Sequence, residues 1–193
     1  MKNPSLIEFP ERIETPRLSI RPCMPGDGPA VFKAVSESRE ELKPWLPFAR
    51  KEQTLEEVEA GVRDSYAEFL QKTDIRLHIY LKETDEFIGS TGLHRIDWDV
   101  PKVEIGYWLH TRYTKKGYIV EAVKELTRFA LNDLSCKRVE IRCDERNAAS
   151  RKVPERLGFK LEGILRHDHL DENGIDAHDT CVYSLIPGDM IKS

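Results

Sequence analysis

Residues 103–122, VEIGYWLHTRYTKKGYIVEA, constrain the fold of this chain more than any other segment. Side chains over residues 103–109 alternate in the pattern of a β-strand. From Tyr118 to about Asn132 apolar residues recur at steps of three and four, which predicts a helix. The sequence therefore predicts a strand that leads into a helix through a short turn at residues 114–117.

This predicted turn has the chemistry of an anion-binding site. The first N–H groups of a helix have no intrahelical partner, and the helix dipole adds partial positive charge there. A diphosphate can accept those N–H groups, while Gly117 allows close approach and Lys115 and Lys116 add charge. A plain solvated connection has the same composition, and this alternative stays open. The chain has no GxxxxGK[ST] and no GxGxxG motif, which excludes two familiar phosphate loops.

Length and charge limit the classes of function. The 193 residues predict a single domain spanning 1–193, with its core at about 13–185. A net charge of −4 without long Lys/Arg runs argues against a nucleic-acid or membrane partner. Apolar runs are too short for a membrane span or a signal peptide, and the four cysteines lack CxxC spacing. We therefore expect a cytoplasmic protein with reduced thiols.

Strand and helix patterns alternate along the rest of the chain. Strand patterns occur at residues 18–21, 77–81, 87–96, 138–143, 160–170 and 177–185. Helices are predicted from Asp27, from the capping box Thr54–Glu57 to about Lys72, and from Asn147 or Ala149 to the C-cap Gly158. The Asn-Gly pair at 173–174 predicts a hairpin. Together these elements predict an α/β layer fold around a mixed sheet.

Four motifs in this order carry a family resemblance: ETPRLSIRP, EIGYWL with KKGYxxEA, RNAASRKVPERLGF and LEGILR. They resemble the GNAT superfamily of acetyl-CoA-dependent N-acetyltransferases, and more closely its ribosomal-protein N-acetyltransferase (RimJ/RimL-like) branch. The resemblance covers residues 13–185. It implies an α/β (α+β) GNAT fold, with a mixed, mostly antiparallel sheet of about seven strands, flanking helices and a splay at the central strand.

The resemblance also implies a binding site for acetyl-CoA as cosubstrate. Backbone groups near Trp108 and Leu109 would bind the pantetheine arm and the acetyl oxygen. The diphosphate would lie on a turn formed by Arg112, Thr114, Lys115, Lys116, Gly117, Tyr118 and Ile119. Thr114 and Ile119 depart from the family pattern, which usually has Gln or Arg and a small residue at these positions, and Ile119 is expected to crowd the diphosphate.

Asn147 and Ser150 match family positions that contact the pantetheine amide and the sulfur, and Ser150 would supply the proton for the leaving thiolate. The alternative is that both only cap the following helix. Glu104, two residues before Gly106 on the central strand, is the candidate general base. A purely structural ion pair is its alternative.

His169 is the second candidate base. His167 and His169 are two residues apart on a predicted strand, and therefore share a face. With His178 and Asp179 across the hairpin they imitate a metal cluster. Because the chemistry of the resembled family needs no metal, and polar strand faces often carry His, we assign no metal.

The sequence thus predicts transfer of acetyl from acetyl-CoA to a primary amine by direct attack on the thioester. The acceptor is expected to be a protein N-terminal α-amine, as on a ribosomal protein. An α-amine of pKa ~8 costs about 1.4 kcal/mol to deprotonate at pH 7, against roughly 4.6 for Lys. A small-molecule amine acetyltransferase and an inactive CoA-binding module are the alternatives. A homodimer or higher homo-oligomer is also implied.

Overall fold

The computed structural model describes residues 4–171, 173–189 and 191 of the chain. In this part of the chain eight strands form one sheet, in the order 1-2-3-4-5-6-8-7. The strands are β1 (Ile13–Glu14), β2 (Leu18–Pro22), β3 (Ile75–Leu81), β4 (Phe87–Asp97), β5 (Lys102–Leu109), β6 (Arg138–Asp144), β7 (Lys160–Leu170) and β8 (Ala177–Leu185). All pairs are antiparallel except β5 with β6. The predicted fold class is confirmed, and the eighth strand is the two-residue β1, which is too short to leave an alternation pattern.

Five α-helices in the same described ranges cover both faces of the sheet. They are α1 (Gly28–Leu42), α2 (Pro47–Arg50), α3 (Leu55–Gln71), α4 (Tyr118–Asn132) and α5 (Ala148–Leu157). Helices α1 and α3 pack on β4 and β3, whereas α4 and α5 pack on β5 and β6. None of the helices is long and apolar enough to cross a membrane. The sheet therefore has a buried core on each face.

The capping box predicted for α3 is present. Thr54 Oγ1 accepts a hydrogen bond from the Glu57 N–H, and a Glu57 carboxylate oxygen accepts one from the Thr54 N–H. The helix ends at Gln71, followed by Lys72 in a left-handed conformation. Asp27 stands at the start of α1, as predicted, but its side chain caps nothing and binds Arg21 instead.

The predicted splay follows from the pairing of β5. Towards β6, β5 pairs at residues 102–104 alone, opposite residues 138–140. Towards β4, the same strand stays paired as far as Leu109. The backbone of residues 105–109 therefore has one edge free of strand partners within the sheet. Trp108 and Leu109, the predicted pantetheine contacts, lie on this open stretch.

Candidate active site

The turn that precedes α4 can accept a diphosphate. Gly117 is the N-cap of α4 in a left-handed conformation, with φ of 82°, and no side chain caps the helix. Its carbonyl accepts the Glu121 N–H, so the N–H groups of the first helical turn point out of the helix. Lys115 and Lys116 are exposed beside it. These residues fit the negative charge and the acceptor oxygens of a diphosphate.

Arg17 anchors this turn to β2, a role that the sequence analysis missed. Its Nη1 donates to the Lys116 carbonyl at 3.0 Å, and its Nε donates to Glu121 Oε2 at 2.6 Å. The guanidinium also stacks on the Tyr118 ring, 4.5 Å from the centroid. The signal was present in the ETPRL motif, but nothing in the sequence pairs Arg17 with a carboxylate 104 positions away.

A second anchor holds the segment between β5 and the turn. A 3₁₀ turn at Thr111–Tyr113, which the sequence did not predict, follows β5. Glu37 of α1 accepts from His110 Nε2 at 2.9 Å and from Arg112 Nη2 at 3.0 Å. Arg112, predicted to contact the cofactor, is therefore held to α1. Thr114, the first residue that departs from the family pattern, donates its hydroxyl to the Thr111 carbonyl.

The second departure, Ile119, lies in the first turn of α4. Its side chain is partly buried and packs against the core formed by α4 and the sheet. The structure thus directs at least part of this side chain towards the protein interior. Whether Ile119 weakens diphosphate binding stays a prediction.

A cavity of about 470 Å³ opens on the face of β5 that lies under α1 and α3. Gly106, Tyr107 and Trp108 of the open β5 stretch line it, together with polar residues of β3, β4 and α3. Its other lining residues are Val31, Val35, Leu46, Phe48, Gln53, Glu57, Val58, Gly61, Ser65, Arg76, Ser90, Thr91 and His94. This cavity lies on the opposite side of β5 from α4. We therefore take it as the candidate acceptor pocket.

Ser150 and Asn147 have local partners. The Asn147 side-chain oxygen accepts from the Ser150 N–H at 3.0 Å, so Asn147 is the N-cap of α5. The Ser150 hydroxyl donates to Tyr107 Oη at 3.2 Å, and Tyr107 Oη donates to the Ser150 carbonyl at 2.9 Å. Burial raises the pKa of Tyr107 well above its usual value. Ser150 is therefore linked to the open stretch of β5, and the contact of either residue with the cofactor stays a prediction.

Glu104 lies on the pocket face of β5, with its Cα opposite that of His94 on β4. Its Oε2 is buried and accepts no hydrogen bond from the described residues, while Arg95 Nη1 lies 3.5 Å away. Burial, partly offset by Arg95, raises the pKa of this carboxyl above its ordinary value. A carboxylate with a raised pKa and an oxygen that accepts no hydrogen bond is suited to accept a proton.

His94 and Asp74 form a pair at the pocket that the sequence analysis missed. His94 Nδ1 lies 2.8 Å from Asp74 Oδ2. The ring covers Gly92 and Gly106, since a Cβ on either glycine would come within 2.7 or 3.0 Å of it. His94 lines the acceptor pocket, whereas Glu104 lies next to it outside the lining. One sequence signal was available: His94 is two residues from Gly92 on a predicted strand, so the two residues share a face of the sheet.

His169 is not at the acceptor pocket, and both its ring nitrogens are engaged. Nε2 lies 3.1 Å from Asp144 Oδ2, and Nδ1 lies 3.1 Å from Thr180 Oγ1. The expected shared face of His167 and His169 is wrong. A register shift between residues 165 and 169, with φ of 53° at His167, interrupts the alternation.

Asp144, His169 and His178 are close enough together to hold a metal ion. The Asp144 side chain, only 7% exposed, already accepts hydrogen bonds from the backbone N–H and the guanidinium of Arg146. Arg146 thus supplies the positive charge that a metal would bring, and its bonds help to lower the pKa of Asp144 to about 2 against the opposing effect of burial. The absence of a functional metal stays a prediction.

Comparisons with known proteins agree with this geometry. The family model described as Acetyltransferase (GNAT) domain matches residues 17–160. The Bacillus subtilis (strain 168) protein named "Putative ribosomal N-acetyltransferase YdaF" is 31% identical over 170 residues, which are 88% of this chain and 91% of that protein. A second protein of that strain, "Uncharacterized N-acetyltransferase YoaA", is 27% identical and covers 90% of this chain and 96% of its own length.

Solved structures share the fold. The ribosomal L7/L12 alpha-N-protein acetyltransferase RimL, in complex with coenzyme A, has a TM-score of 0.85 at 24% identity, covering 91% of this chain and 98% of that one. The Microcin C7 self immunity acetyltransferase MccE, in complex with acetyl-CoA and AMP, has a TM-score of 0.85 at 20% identity, with coverages of 92% and 97%. At 24% and 20% identity, these two comparisons show that the fold is shared, and nothing finer.

Proposed function

The chain belongs to the GNAT acetyltransferase family, and from this premise we propose that it transfers acetyl from acetyl-CoA to the α-amine of a protein N-terminus. N-acetyl transfer from acetyl-CoA is the activity of the family. The finer proposal is supported mainly by one observation: the open stretch of β5 lies between the uncapped N-terminus of α4 and a pocket of about 470 Å³. Residues 1–193 would form one N-acetyltransferase domain, with its core at about 13–185.

The cofactor side of the proposal uses the turn before α4. Lys115, Lys116 and the first N–H groups of α4 would hold the diphosphate, while the unpaired edge of β5 at Trp108 and Leu109 would hold the pantetheine arm. The thioester would then lie against residues 106–108, at the opening of the pocket. Asn147, whose side-chain nitrogen has no described partner, would donate to a pantetheine amide in addition to capping α5.

Acetyl transfer would proceed by direct attack of the amine on the thioester. The alternative, transfer through an acetyl-cysteine, needs a thiolate. Cys143 is the thiol nearest to the Ser150 and Tyr107 pair, and burial raises its pKa to about 11. A thiol with this pKa is protonated at neutral pH and is a poor nucleophile. Ser150, linked to Tyr107, would supply the proton to the leaving thiolate of coenzyme A.

Proton removal from the amine would run from the pocket through His94 to Glu104. With its Nδ1 hydrogen directed to Asp74, His94 keeps Nε2 free to accept a proton. Glu104, across the strand pair from His94, attracts the resulting positive charge. His169 is the fallback base if neither group acts, although its ring nitrogens are already engaged.

The identity of the acceptor is the least constrained part of the proposal. A ribosomal protein as the acceptor is supported by the relative that is named "Putative ribosomal N-acetyltransferase YdaF". Four free thiols suit a reducing compartment and support a cytoplasmic location. The pocket is also large enough for a small-molecule amine, which is the second candidate. A homodimer or higher homo-oligomer remains part of the proposal.

The decisive experiment measures release of coenzyme A from acetyl-CoA by the purified protein with three classes of amine. These are peptides with a free α-amine and no Lys, the same peptides with a blocked N-terminus and one Lys, and small polyamines or amino sugars. We expect turnover with the first class. Turnover only with the third would establish the small-molecule alternative, and no turnover with tight binding of coenzyme A would indicate an inactive binding module.

A further inference from the structure

Arg76 is a cation in the acceptor pocket whose guanidinium is bonded to none of the described side chains, although Asp27 and Asp74 attract it from a distance. It lies in the middle of β3, lines the pocket and is partly buried. Its guanidinium makes no hydrogen bond or ion pair with the residues that the structure describes. Burial lowers the pKa of Arg76, yet a guanidinium stays charged at neutral pH. The protein therefore keeps a partly desolvated charge pointed at a cavity.

The nearest carboxylates are already used by other groups. Asp27 accepts hydrogen bonds from Arg21, and its second oxygen lies 2.8 Å from His78 Nδ1. Asp74 is bound to His94. Arg21, on the neighbouring strand, shows the usual arrangement, because its guanidinium has a carboxylate and a Tyr hydroxyl as partners. Arg76 differs from Arg21 in having no such partner.

Among the described lining residues of the pocket, none forms an ion pair with Arg76. Glu57 is the one carboxylate among its lining residues, and one oxygen of this group is held by the Thr54 N–H in the capping box. Otherwise the walls near Arg76 are apolar or neutral. A desolvated cation without a partner destabilises the folded protein. A ligand that brings an anion would remove that cost, so the unpartnered charge indicates an anionic ligand.

The position of Arg76 sets the distance between this anion and the reacting amine. Arg76 pairs with Gly92, and Gly92 pairs with Gly106, so the three residues form one row across β3, β4 and β5. Two strand spacings separate the Arg76 and Gly106 Cα atoms by roughly 10 Å. Neither glycine has a side chain of its own, and the His94 ring covers both of them.

We propose that Arg76 binds a carboxylate of the acceptor, located within roughly 10 Å of the amine that is acetylated. This inference rests on the proposed function of the pocket as the acceptor site. A planar guanidinium binds a carboxylate through two parallel hydrogen bonds, which also orients the acceptor. The carboxylate comes either from a free α-amino acid or from an acidic side chain next to a peptide N-terminus.

Two matched pairs of acceptors test the proposal and separate these sources. The pairs are alanine with alaninamide, and the dipeptide amides Ala-Glu with Ala-Gln. In one of the pairs, the ratio of kcat/KM for the carboxylate member to kcat/KM for its neutral partner should be roughly ten- to hundredfold higher in the wild type than in Arg76→Gln. The members of a pair differ in the pKa of their amines, but this difference is the same for both proteins and cancels when the two ratios are compared.

Stability provides a readout that separates recognition from a structural role. Arg76→Gln removes an unpaired charge and should melt at the same temperature as the wild type or higher. The matched control is Arg128→Gln on the exposed side of α4, which should retain the preference for the carboxylate. A ratio of carboxylate to neutral acceptor that is the same in the wild type and in Arg76→Gln for both pairs, or a marked loss of stability in that variant, would each overturn the proposal.

If no amine releases coenzyme A, the proposed function fails, and the role of Arg76 is decided by binding instead. Calorimetry with N-acetylalanine and N-acetylalaninamide, in the presence of coenzyme A, gives the same comparison without turnover. Binding of the carboxylate at least tenfold weaker in Arg76→Gln supports the inference. Equal binding by both proteins, or no binding by the wild type, rejects it.

Discussion

Charged groups on the two sides of β5 differ in whether they have bonding partners. On the cofactor side, Arg17 is bound to Glu121, and Arg112 is bound to Glu37. On the acceptor side, the Arg76 guanidinium and one oxygen of Glu104 have no hydrogen-bond partner among the described residues. The cofactor side is a preformed surface that offers backbone N–H groups. The acceptor side keeps charged groups with unused hydrogen-bonding capacity, although Arg95 lies 3.5 Å from Glu104. Proton transfer and substrate choice are expected on this side.

Neutral substitutions on the acceptor side should have the largest effect. Glu104→Gln and His94→Gln should each lower kcat/KM by about 10²–10⁴-fold at pH 7. Because the two residues are proposed to act in one path, the double variant should be little worse than either single one. Steady-state release of coenzyme A measures all three.

The pH dependence of kcat/KM tests the role of Glu104 further. Glu104 accepts a proton only when ionised, and its pKa is raised, so wild-type kcat/KM should fall as the pH drops through a value above 4.5. Glu104→Gln should lose this limb and partly recover at high pH, where the amine deprotonates unaided. His169→Gln is the control and should do little. A pH profile of Glu104→Gln that overlays the wild type eliminates Glu104, and a collapse in His169→Gln moves the role to that histidine.

Ser150→Ala tests the link between the two sides. Removing the hydroxyl that bonds Tyr107 should lower kcat at least about tenfold, since the leaving thiolate loses its proton donor. The melting temperature should change little, because the N–H of residue 150 still reaches the Asn147 cap. A variant that is destabilised but turns over normally once folded would reduce Ser150 to a structural residue.

Gly117→Asp tests the cofactor side. The substitution puts a Cβ and a negative charge where the diphosphate should lie, and coenzyme A should bind at least about tenfold more weakly by calorimetry. Gly174→Asp is a matched control, since Gly174 also has a left-handed backbone, with φ of 74°, and open space around it. Weakening of equal size in both variants would point to backbone strain instead of a lost anion site.

The smallest expected effect separates the two roles of Asn147. Asn147→Ala loses the cap of α5 and should cost about 1 kcal/mol of unfolding free energy. Asn147→Asp keeps an oxygen for the cap but loses the amide donor, so its stability should stay near wild type while KM for acetyl-CoA rises. An unchanged KM in Asn147→Asp would leave Asn147 as a helix cap alone.

The strand, turn and helix of the proposed cofactor side could be predicted from the sequence, whereas the grouping of Arg76, Asp74 and His94 at the pocket could not. Strand alternation, the periodicity of α4 and Gly117 are local signals, and α4 begins and ends at the predicted residues. Arg76, Asp74 and His94 come together only through the register of β3 with β4, which no local pattern fixes. The bulge around His167 was missed for the same reason, because the two extra residues that β7 has between Leu165 and His169 leave no mark in the composition.

The bonds of Arg17 have a consequence for how the chain responds to its ligand. They join the N-terminal part of the sheet to Glu121 in the first turn of α4, 104 positions away, and to the Lys116 carbonyl in the turn before that helix. Ordering of that turn by coenzyme A should therefore slow amide hydrogen exchange in β2, although β2 contributes no proposed ligand contact. The affinity for coenzyme A and the local opening free energy of the N-terminal strand would then be thermodynamically linked quantities.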